Sequence, residues 1–300
     1  MEYRTLGKTG ERVSAIGIGG AHAARPTDPA ETTRIIRTAI DNGITFMDNC
    51  WDYSGGNAEV RMGNALRDGY RQKVFLMTKI DAHRAGAASQ QIDQCLQRLQ
   101  TDVIDLIQIH EVIRPDDPEK VFAPGGTMEA LLAARQAGKL RYIGFTGHKD
   151  PAIHLKMLDA GFAWDTVQLP LNCLDTHHRS FEALVLPVLV ERRIGVLGMK
   201  PIASGAAVRD GAATAEECLR YALSLPTSVV ITGCDSLPIA EQAIRVWQNF
   251  TSMTPAEMDA LRARTAAPNR AGVLEGYKTT DRFDGTAHNP HWLTTASVSA

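Results

Sequence analysis

The stretch GITFMDNCWDY, from Gly43 to Tyr53, sets a pattern that later parts of this chain repeat. Its residues ITFM are apolar or β-branched and predict a short buried strand. That strand ends at a carboxylate, Asp48, and a tyrosine follows five positions later. The pattern recurs because the apolar run VFLMTK ends at Lys79 and the run VIDLIQIH ends at His110. In a parallel sheet these carboxyl ends lie on one face, where α/β folds carry their chemistry.

The alternation of apolar runs and helical patterns on either side of this stretch predicts an α/β fold. The runs with strand character are AIGIGG, GITFMD, VFLMT, VIDLIQI, RYIGF, DTVQL, GVLGM and SVVIT, and a helical period follows each of them. These eight units favour a closed barrel, because a doubly wound sheet rarely needs eight units in about 250 residues. Strands that are apolar on both faces fit the same architecture. A hairpin around the turn GKTGE, with arms Tyr3–Leu6 and Arg12–Ser14, is expected to precede the barrel.

The C-terminal part is predicted to extend the same unit. PAEMDALRART has the pattern of one more helix. We expect a single domain over residues 1–300, with its core over about 1–265 and a C-terminal tail over 266–300. The start of the tail is expected to pack on the barrel and its last residues to be loose. The tail has no clear period, but it contains three aromatic anchors: Tyr277, Phe283 and Trp292.

Composition excludes several classes of function. The chain has 300 residues, 44% of them hydrophobic and 22% charged, which is ordinary for a globular enzyme. A formal net charge of -2 gives no basic field, so nucleic acid and anionic membranes are not expected as partners. The N-terminus lacks a secretory pattern and no apolar run approaches the roughly 18 residues of a membrane span. A cytoplasmic enzyme is therefore expected.

The cysteines give no sign of a disulfide framework or a metal site. They are odd in number and scattered, without a CxxC pair or metal-ligand spacing: Cys50, Cys95, Cys173, Cys218 and Cys234. We therefore expect reduced, buried thiols and no metal.

The polar residues at the strand ends have ordinary explanations when taken singly. Asp48 would cap a helix, Lys79 would be an exposed lysine, His110 a satisfied core histidine and Tyr53 a packing residue. Taken together they predict a site, because a lysine at the mouth of an apolar barrel needs the counter-charge of Asp48. The ammonium is expected to lower the pKa of Tyr53 from about 10, and a neutral His110 would orient a substrate oxygen. Such a site protonates an oxygen but has no nucleophile, so an external hydride source would complete it.

The order Asp48, Tyr53, Lys79, His110 resembles the catalytic tetrad of the aldo-keto reductase family. The segments DNCWDYSGGNAEVRMGNAL, GKLRYIGFT and QLPLN resemble that family as well. The resemblance implies a (β/α)8 TIM barrel, closed at its base by the hairpin, that binds NADP(H) in an extended pose without a Rossmann fold. The chain accordingly has no GxGxxG loop at a strand-helix junction. It further implies hydride transfer to a carbonyl carbon, with Tyr53 as proton donor, Lys79 and Asp48 tuning it, and His110 aligning the carbonyl.

The resemblance also implies a set of cofactor contacts. Gln168 matches the glutamine that holds the carboxamide, and Gly147 stands where the family has an asparagine. Met199 takes the place of a stacking aromatic residue, and Lys200 either supplies charge over the pyrophosphate or is a surface lysine. The full set is Gly20, Asp48, Thr146, Gly147, Gln168, Met199, Lys200, Pro201, Ile202, Gly205, Gly233, Asp235, Ser236 and Glu241.

The choice between NADP(H) and NAD(H) depends on the segment ITGCDSLPIAEQ. There the family commonly has a basic residue for the 2′-phosphate, whereas this chain has Asp235 followed by Ser236. An aspartate repels phosphate and suits a free ribose hydroxyl, so the preference is open. Glu241 matches an adenine-contacting glutamate, although a solvated helix glutamate explains it nearly as well.

The sequence indicates the substrate contacts less clearly than the cofactor contacts. His22, Trp51 and His110 are the candidates for a small carbonyl or alcohol substrate, and His22 and Trp51 are equally explained as ordinary loop residues. The alternative functions are a slow-turnover, cofactor-binding sensor, as the potassium-channel β-subunits of this family suggest, and a Schiff-base aldolase with Lys79 as nucleophile. Pairing with Asp48 would keep that lysine protonated and disfavours the aldolase.

Overall fold

The strands of the computed structural model, which describes residues 1–209 and 211–297, form a hairpin and a barrel. The strands are β1 (Tyr3–Thr5), β2 (Arg12–Ser14), β3 (Ile16–Gly19), β4 (Phe46–Asp48), β5 (Phe75–Ile80), β6 (Ile104–Ile109), β7 (Leu140–Thr146), β8 (Thr166–Pro170), β9 (Gly195–Met199) and β10 (Val229–Gly233). β1 and β2 pair antiparallel. In the described part of the chain, the other eight strands close into a parallel barrel in the order β10-β3-β4-β5-β6-β7-β8-β9. The predicted (β/α)8 TIM barrel with an N-terminal hairpin is confirmed.

Helices connect the strands and continue into the tail. They are α1 (Gly20–Ala23), α2 (Pro29–Asp41), α3 (Asn57–Ala65), α4 (Ala85–Leu99), α5 (Asp117–Phe122), α6 (Thr127–Gln136), α7 (Pro151–Leu158), α8 (Phe181–Leu184), α9 (Leu186–Glu191), α10 (Ala206–Arg209), α11 (Ala215–Ser224), α12 (Leu237–Gln248), α13 (Pro255–Ala266), α14 (Gly276–Thr279) and α15 (Gly285–His288). Short 3-10 turns occur at Tyr53–Gly56, Arg71–Lys73, Asp175–His177, Ala203–Gly205, Arg270–Gly272 and Pro290–Leu293. Among the described residues, no helix has the length and apolar character needed to cross a membrane.

Local sequence signals explain where these helices begin and end. α2 begins after Asp28, whose side chain accepts the backbone N–H of Ala30 at 2.8 Å, and Pro29 takes the first position. It ends before Gly43, which has a φ of +95° that an L side chain rarely adopts. The segment after β8 is split into α8 and α9 at Val185, because Pro187 starts a new helix and cannot continue the previous one.

The hairpin closes the amino-terminal end of the barrel. Leu6 and Val13 join the apolar cluster of the barrel interior, whose strand members include Phe46, Phe75 and Leu197. Arg4, in β1, donates to the backbone oxygen of Thr227 at 2.8 Å, just before the last barrel strand. With its base sealed by these contacts, the barrel leaves its carboxyl rim as the face available for chemistry.

The C-terminal tail crosses that carboxyl rim. The backbone N–H of His83, after β5, donates to the oxygen of Leu293 at 2.8 Å. Asn172, after β8, donates to the hydroxyl of Tyr277 at 2.9 Å, and the ring of Tyr277 is fully buried. The start of the tail therefore packs on the barrel, as predicted. The predicted looseness of the last residues concerns residues 298–300, which lie outside the described residues.

Candidate active site

Four ionisable side chains meet at the carboxyl rim. Asp48 ends β4, Lys79 lies in β5, His110 directly follows β6, and Tyr53 lies in the turn after β4. The ammonium of Lys79 donates to Asp48, to the backbone oxygen of Asn49 at 2.7 Å and to the Tyr53 hydroxyl at 3.3 Å. The rings of Tyr53 and His110 stand edge to face with their centres 5.8 Å apart. The structure thus brings the four predicted catalytic residues into one cluster.

Tyr53 is held in place by an unusual turn. Ser54, Gly55 and Gly56 all have positive φ angles, of +53°, +63° and +87°. Glycine adopts this conformation without steric cost, which accounts for two of the three residues. A side chain on Gly56 would also collide with the guanidinium of Arg98. The turn reverses the chain so that the Tyr53 hydroxyl faces Lys79.

The pKa of Tyr53 differs from the prediction. Burial raises the pKa of Tyr53 well above its usual range, and the nearby carboxylate of Asp48 raises it further. The prediction that the Lys79 ammonium lowers this pKa is wrong, because burial and the surrounding acidic groups outweigh the single cation. The phenol therefore keeps its proton throughout the physiological pH range.

The protonation state of His110 also differs from the prediction. Burial alone would lower its pKa, but Asp81 and Asp52 outweigh burial and raise the pKa to about 9. Nδ1 of the ring lies 2.8 Å from Asp81 Oδ1 and 3.6 Å from Asp52 Oδ1. The expected neutral histidine is therefore an imidazolium at neutral pH.

Sequence spacing did not reveal the acidic partners of this ring. Cys50, Asp52, Asp81 and His110 come from the ends of three strands, yet their ligand atoms lie within 4.8 Å of one another. Asp81 follows Lys79 by two positions, so extending each strand-end motif by two residues would have found it. No metal-ligand spacing is visible in the sequence, because these residues meet only in the closed barrel.

Gln168 is placed to serve a bound group. It lies in β8, and its Nε2 donates to Asp48 Oδ2 at 3.2 Å. Its Oε1 is buried and accepts no hydrogen bond from the residues of the described ranges. A buried acceptor without a donor costs free energy, so this oxygen fits an external amide donor such as a carboxamide. The neighbouring strand β7 ends at Thr146, which is also buried.

Packing explains why position 147 is a glycine. A Cβ at this position would collide with the backbone oxygen of Val112 and would lie 2.9 Å from the ring of His154. The asparagine that the resemblance implies has no room here. Any contact from Gly147 to a ligand must therefore come from its backbone.

The segment after β9 carries a cation close to the tail. Lys200 has a φ of +53°, and its ammonium lies 5.6 Å from the ring centres of both Tyr277 and Phe283. Burial lowers the pKa of Lys200 to about 8. Met199 and Ile202 are partly exposed beside it, Pro201 is buried, and Gly205 has a φ of +87°.

A second group of predicted residues lies at, or just after, the carboxyl ends of the first and last barrel strands, β3 and β10. A side chain on Gly20 would collide with Asn49, and one on Gly233 would collide with the ring of His22. His22 therefore lies against the end of β10, near Asp235, and burial lowers its pKa to about 4. Ser236 precedes α12, and Glu241 is exposed on that helix.

Trp51 packs beneath the tail. It is fully buried, its Nε1 donates to Gln94 Oε1 at 2.6 Å, and its ring meets Trp292 edge to face at 6.0 Å. The structure places Trp51 between the barrel and the tail, and a substrate contact for it stays a prediction.

Glu111 fastens the tail to the site. Its two carboxylate oxygens accept the backbone N–H groups of Gly285 at 2.8 Å and Thr286 at 2.7 Å. Burial would raise the pKa of Glu111, but His110, His148 and the Thr286 hydrogen bonds outweigh it and lower the pKa. Nearby, Asp284 lies 3.0 Å from His148 Nε2 and 2.7 Å from Lys149 Nζ.

We expect Glu111→Ala to release this part of the tail. Each lost hydrogen bond to the carboxylate is worth about 1.5–3 kcal/mol, so proteolytic cleavage between residues 280 and 290 should become faster. Mass spectrometry of timed digests measures the rate. Glu129→Ala is the control, because Glu129 is exposed and accepts a backbone N–H from Gly125 at 2.9 Å and not from the tail segment 280–290. Equal cleavage rates in the two variants would contradict the assignment.

Comparison with known proteins identifies relatives of this chain. The model of the Aldo/keto reductase family matches residues 15–214. The chain is 31% identical over 216 residues to the aldo-keto reductase YhdN of Bacillus subtilis (strain 168), a match that covers 66% of this chain and 61% of the relative. It is 27% identical over 230 residues to L-galactose dehydrogenase of Arabidopsis thaliana, covering 70% of this chain and 68% of that protein. It is 28% identical over 229 residues to L-glyceraldehyde 3-phosphate reductase of Escherichia coli (strain K12), covering 68% and 62%. The matched part thus spans less than two thirds of the length of YhdN.

Solved structures with the same fold include two aldo-keto reductases. AKR11C1 from Bacillus halodurans, in its holo form, superimposes with a TM-score of 0.74 at 24% identity, covering 88% of this chain and 96% of that chain. The thermostable Tm1743, in complex with the inhibitor epalrestat, gives a TM-score of 0.71 at 22% identity, covering 88% and 100%. At these identities the likeness concerns the fold.

Proposed function

This chain belongs to the aldo/keto reductase family, and on that premise we propose that it reduces the carbonyl group of a small molecule to an alcohol with NADPH or NADH. The observation that carries the proposal is the position of the Lys79 ammonium, which bonds to Asp48 and to the Tyr53 hydroxyl together. A phenol that is hydrogen-bonded to a paired ammonium is a good proton donor, because the ammonium stabilises the phenolate that forms.

Each residue of the cluster has a defined task in this proposal. Tyr53 holds the proton that the carbonyl oxygen receives, and its raised pKa keeps that proton in place until negative charge develops on the oxygen. Lys79 stabilises the phenolate that remains, while Asp48 neutralises Lys79 and fixes its position. His110 donates a second hydrogen bond to the same oxygen and orients it.

The residues present fit a nicotinamide cofactor. The buried Oε1 of Gln168 offers an acceptor to a carboxamide, and the ammonium of Lys200 offers positive charge to a pyrophosphate. When bound, the reduced nicotinamide supplies the hydride that the protein itself lacks. The proposed contacts also include Thr146, Met199, the backbone of Gly147 and the segment from Gly233 to Ser236.

The proposed substrate class is the small hydroxyaldehydes and sugars. It is supported by two relatives, which are named for L-galactose and for L-glyceraldehyde 3-phosphate. Polar groups at the rim, among them Tyr53 and His110, suit a substrate with several hydroxyl groups.

The experiment is a panel of aldehydes, ketones and sugars assayed by loss of the reduced-nicotinamide absorbance. We expect hydroxyaldehydes and aldoses to give the largest kcat/KM. Tight binding of the cofactor without turnover on any carbonyl would contradict the proposal and would favour a cofactor-binding sensor.

The preference between NADH and NADPH can be predicted from the position of Asp235. We propose that Asp235 faces the ribose, so that NADH competes well with NADPH. Asp235 lies 3.9 Å from Arg25, but the two side chains are 39% and 59% exposed, so this ion pair neutralises the carboxylate only weakly. Asp235→Ala should then strengthen NADPH binding relative to NADH by about tenfold, equivalent to ~1.4 kcal/mol. Fluorescence titration with both dinucleotides measures the ratio.

Arg25→Ala is the matched variant for this comparison. It removes the cation beside Asp235 and should weaken NADPH binding relative to NADH. A strong NADPH preference in the unmodified chain, unchanged in Asp235→Ala, would contradict the placement of Asp235 at the ribose.

A further inference from the structure

Asp81 is a buried carboxylate whose position is fixed by the main chain. It follows β5 and its side chain has no exposure to solvent. Its backbone N–H and that of Ala82 both donate to Gln91 Oε1, at 2.9 Å and 3.0 Å. Gln91, in α4, in turn donates to the backbone oxygen of Trp292 at 3.0 Å. The turn that carries Asp81 is therefore fixed between α4 and the tail.

The carboxylate of Asp81 is directed at His110. Asp81 Oδ1 lies 2.8 Å from His110 Nδ1, a hydrogen-bond distance. Asp81 Oδ2 is buried and has no partner within residues 1–209 and 211–297. An ionised carboxylate only accepts hydrogen bonds, so the proton between the two groups is carried by the ring. Asp81 and Asp52 raise the pKa of His110 to about 9, above the pKa of about 7 to which burial raises Asp81, so the ring holds the proton more strongly than the carboxylate does.

Other charged groups face the same ring from neighbouring elements. Asp52, after β4, has its Oδ1 3.6 Å from His110 Nδ1, and the Cys50 sulfur lies 3.2 Å from the same nitrogen. Burial raises the pKa of the Cys50 thiol well above its usual range, so Cys50 adds no charge. Glu111, next in the chain, is bound to the tail through Gly285 and Thr286. The balance around the ring is therefore acidic and stabilises an imidazolium.

We propose that Asp81 is a positioning residue that binds Nδ1–H of His110, fixes the orientation of the ring and keeps it doubly protonated, with Nε2–H presented to the substrate oxygen. The last part rests on the proposed carbonyl reduction. A carboxylate that orients a histidine in this way also makes the ring a stronger donor to an oxygen that gains negative charge. His110 then contributes charge to the site as well as alignment.

A metal ion bound by Cys50, Asp52, Asp81 and His110 is the competing explanation for this cluster. The geometry favours a hydrogen bond between Asp81 and His110 over a metal ion. Around a tetrahedral zinc with bonds of about 2.0–2.1 Å, the ligand nitrogen and oxygen stand roughly 3.3 Å apart. Asp81 Oδ1 and His110 Nδ1 are 2.8 Å apart. The Cys50 sulfur also lies 3.7 Å from the backbone oxygen of Lys79, an acceptor for a protonated thiol.

The direct test is a nitrogen NMR titration of the His110 ring in the full chain without cofactor. We expect an imidazolium that titrates near pH 9. Asp81→Asn keeps an acceptor oxygen and removes the charge, so the pKa of His110 should fall by about 1 to 3. Asp52→Asn, at a longer distance from the ring, should lower it less and serves if Asp81→Asn fails to fold. Asp165→Asn is the control, because Asp165 accepts the backbone N–H of Ile143 at the opposite end of the barrel.

The pH profile supplies a second readout. His110 is charged below its pKa, so kcat should hold up to about pH 9 and fall above it. In Asp81→Asn this fall should move to lower pH, which a merely structural role would not produce. A His110 pKa that is equal in the unmodified chain and in Asp81→Asn would overturn the proposal. Stoichiometric metal in the purified chain, lost in Cys50→Ser, would also overturn it.

The titration also separates this inference from the proposed reaction, because it uses neither cofactor nor substrate. If the pKa of His110 were unshifted in a chain that reduces carbonyls, only the role of Asp81 would be refuted and the proposed reaction would stand. A raised pKa that depends on Asp81, in a chain that reduces no carbonyl, would support the Asp81–His110 pair and refute the proposed reaction.

Discussion

Tyr53→Phe is expected to lower kcat for carbonyl reduction by about 10²- to 10⁴-fold, the contribution typical of a general acid. The variant removes the hydroxyl that lies 3.3 Å from the Lys79 ammonium and leaves the ring in place. Its edge-to-face contact with His110 should persist. Cofactor affinity, measured by fluorescence titration, should therefore stay within about twofold, because the loss falls on the chemical step.

Tyr142→Phe is the control for this variant. Tyr142 lies in β7 and its hydroxyl is 3.0 Å from Glu11, in the loop between the hairpin strands at the base of the barrel. Its removal should leave kcat unchanged. If Tyr53→Phe kept more than about a tenth of the wild-type kcat, proton donation by Tyr53 would be wrong.

Lys79→Met is expected to lower the free energy of unfolding by about 3–5 kcal/mol and to abolish turnover. Lys79 is 1% exposed and Asp48 is 4% exposed, so the variant leaves a buried carboxylate without its counter-charge. Two other hydrogen bonds of the ammonium, to Asn49 and Tyr53, are lost as well. Urea unfolding followed by circular dichroism measures the change.

The double variant Lys79→Met/Asp48→Asn separates stability from catalysis. Removing both charges avoids the unpaired carboxylate, so most of the lost stability should return. Turnover should not return, because no cation remains beside Tyr53. A double variant that is as unstable as Lys79→Met would show that the ion pair is not the source of the loss. A double variant with wild-type kcat would remove Lys79 from the mechanism.

Much of the barrel could be predicted from the sequence because each strand is a short apolar run with a helical period after it. The same regularity placed Asp48, Lys79 and His110 at strand ends, and parallel strands bring such ends to one rim. Short irregular elements were not predictable in this way. α5, at Asp117–Phe122, has only six residues and is too short to show a helical period in the sequence.

The pKa values of His110 and Tyr53 could not be predicted from the sequence. The pKa of His110 depends on Asp81 and Asp52, which come from two other strand ends and meet the ring only when the barrel closes. For Tyr53, the sequence suggests the nearby cation but gives no measure of burial, which is the larger effect.

The tail was hard to predict for a different reason. Its contacts are individual hydrogen bonds to the rim, such as those from Gly285 and Thr286 to Glu111, together with isolated buried aromatic side chains such as Trp292. Periodicity detects repeated burial on one face of an element. A segment bound by its backbone and by isolated aromatic side chains leaves no such pattern.

The most direct test of the account uses a reduced cofactor that carries deuterium at the transferred position of nicotinamide C4. With an aldose or hydroxyaldehyde substrate in ordinary water, we predict that the alcohol product carries one deuterium on the former carbonyl carbon. Product that forms without deuterium on that carbon, or no product from any carbonyl in the presence of bound cofactor, would contradict hydride transfer at this site.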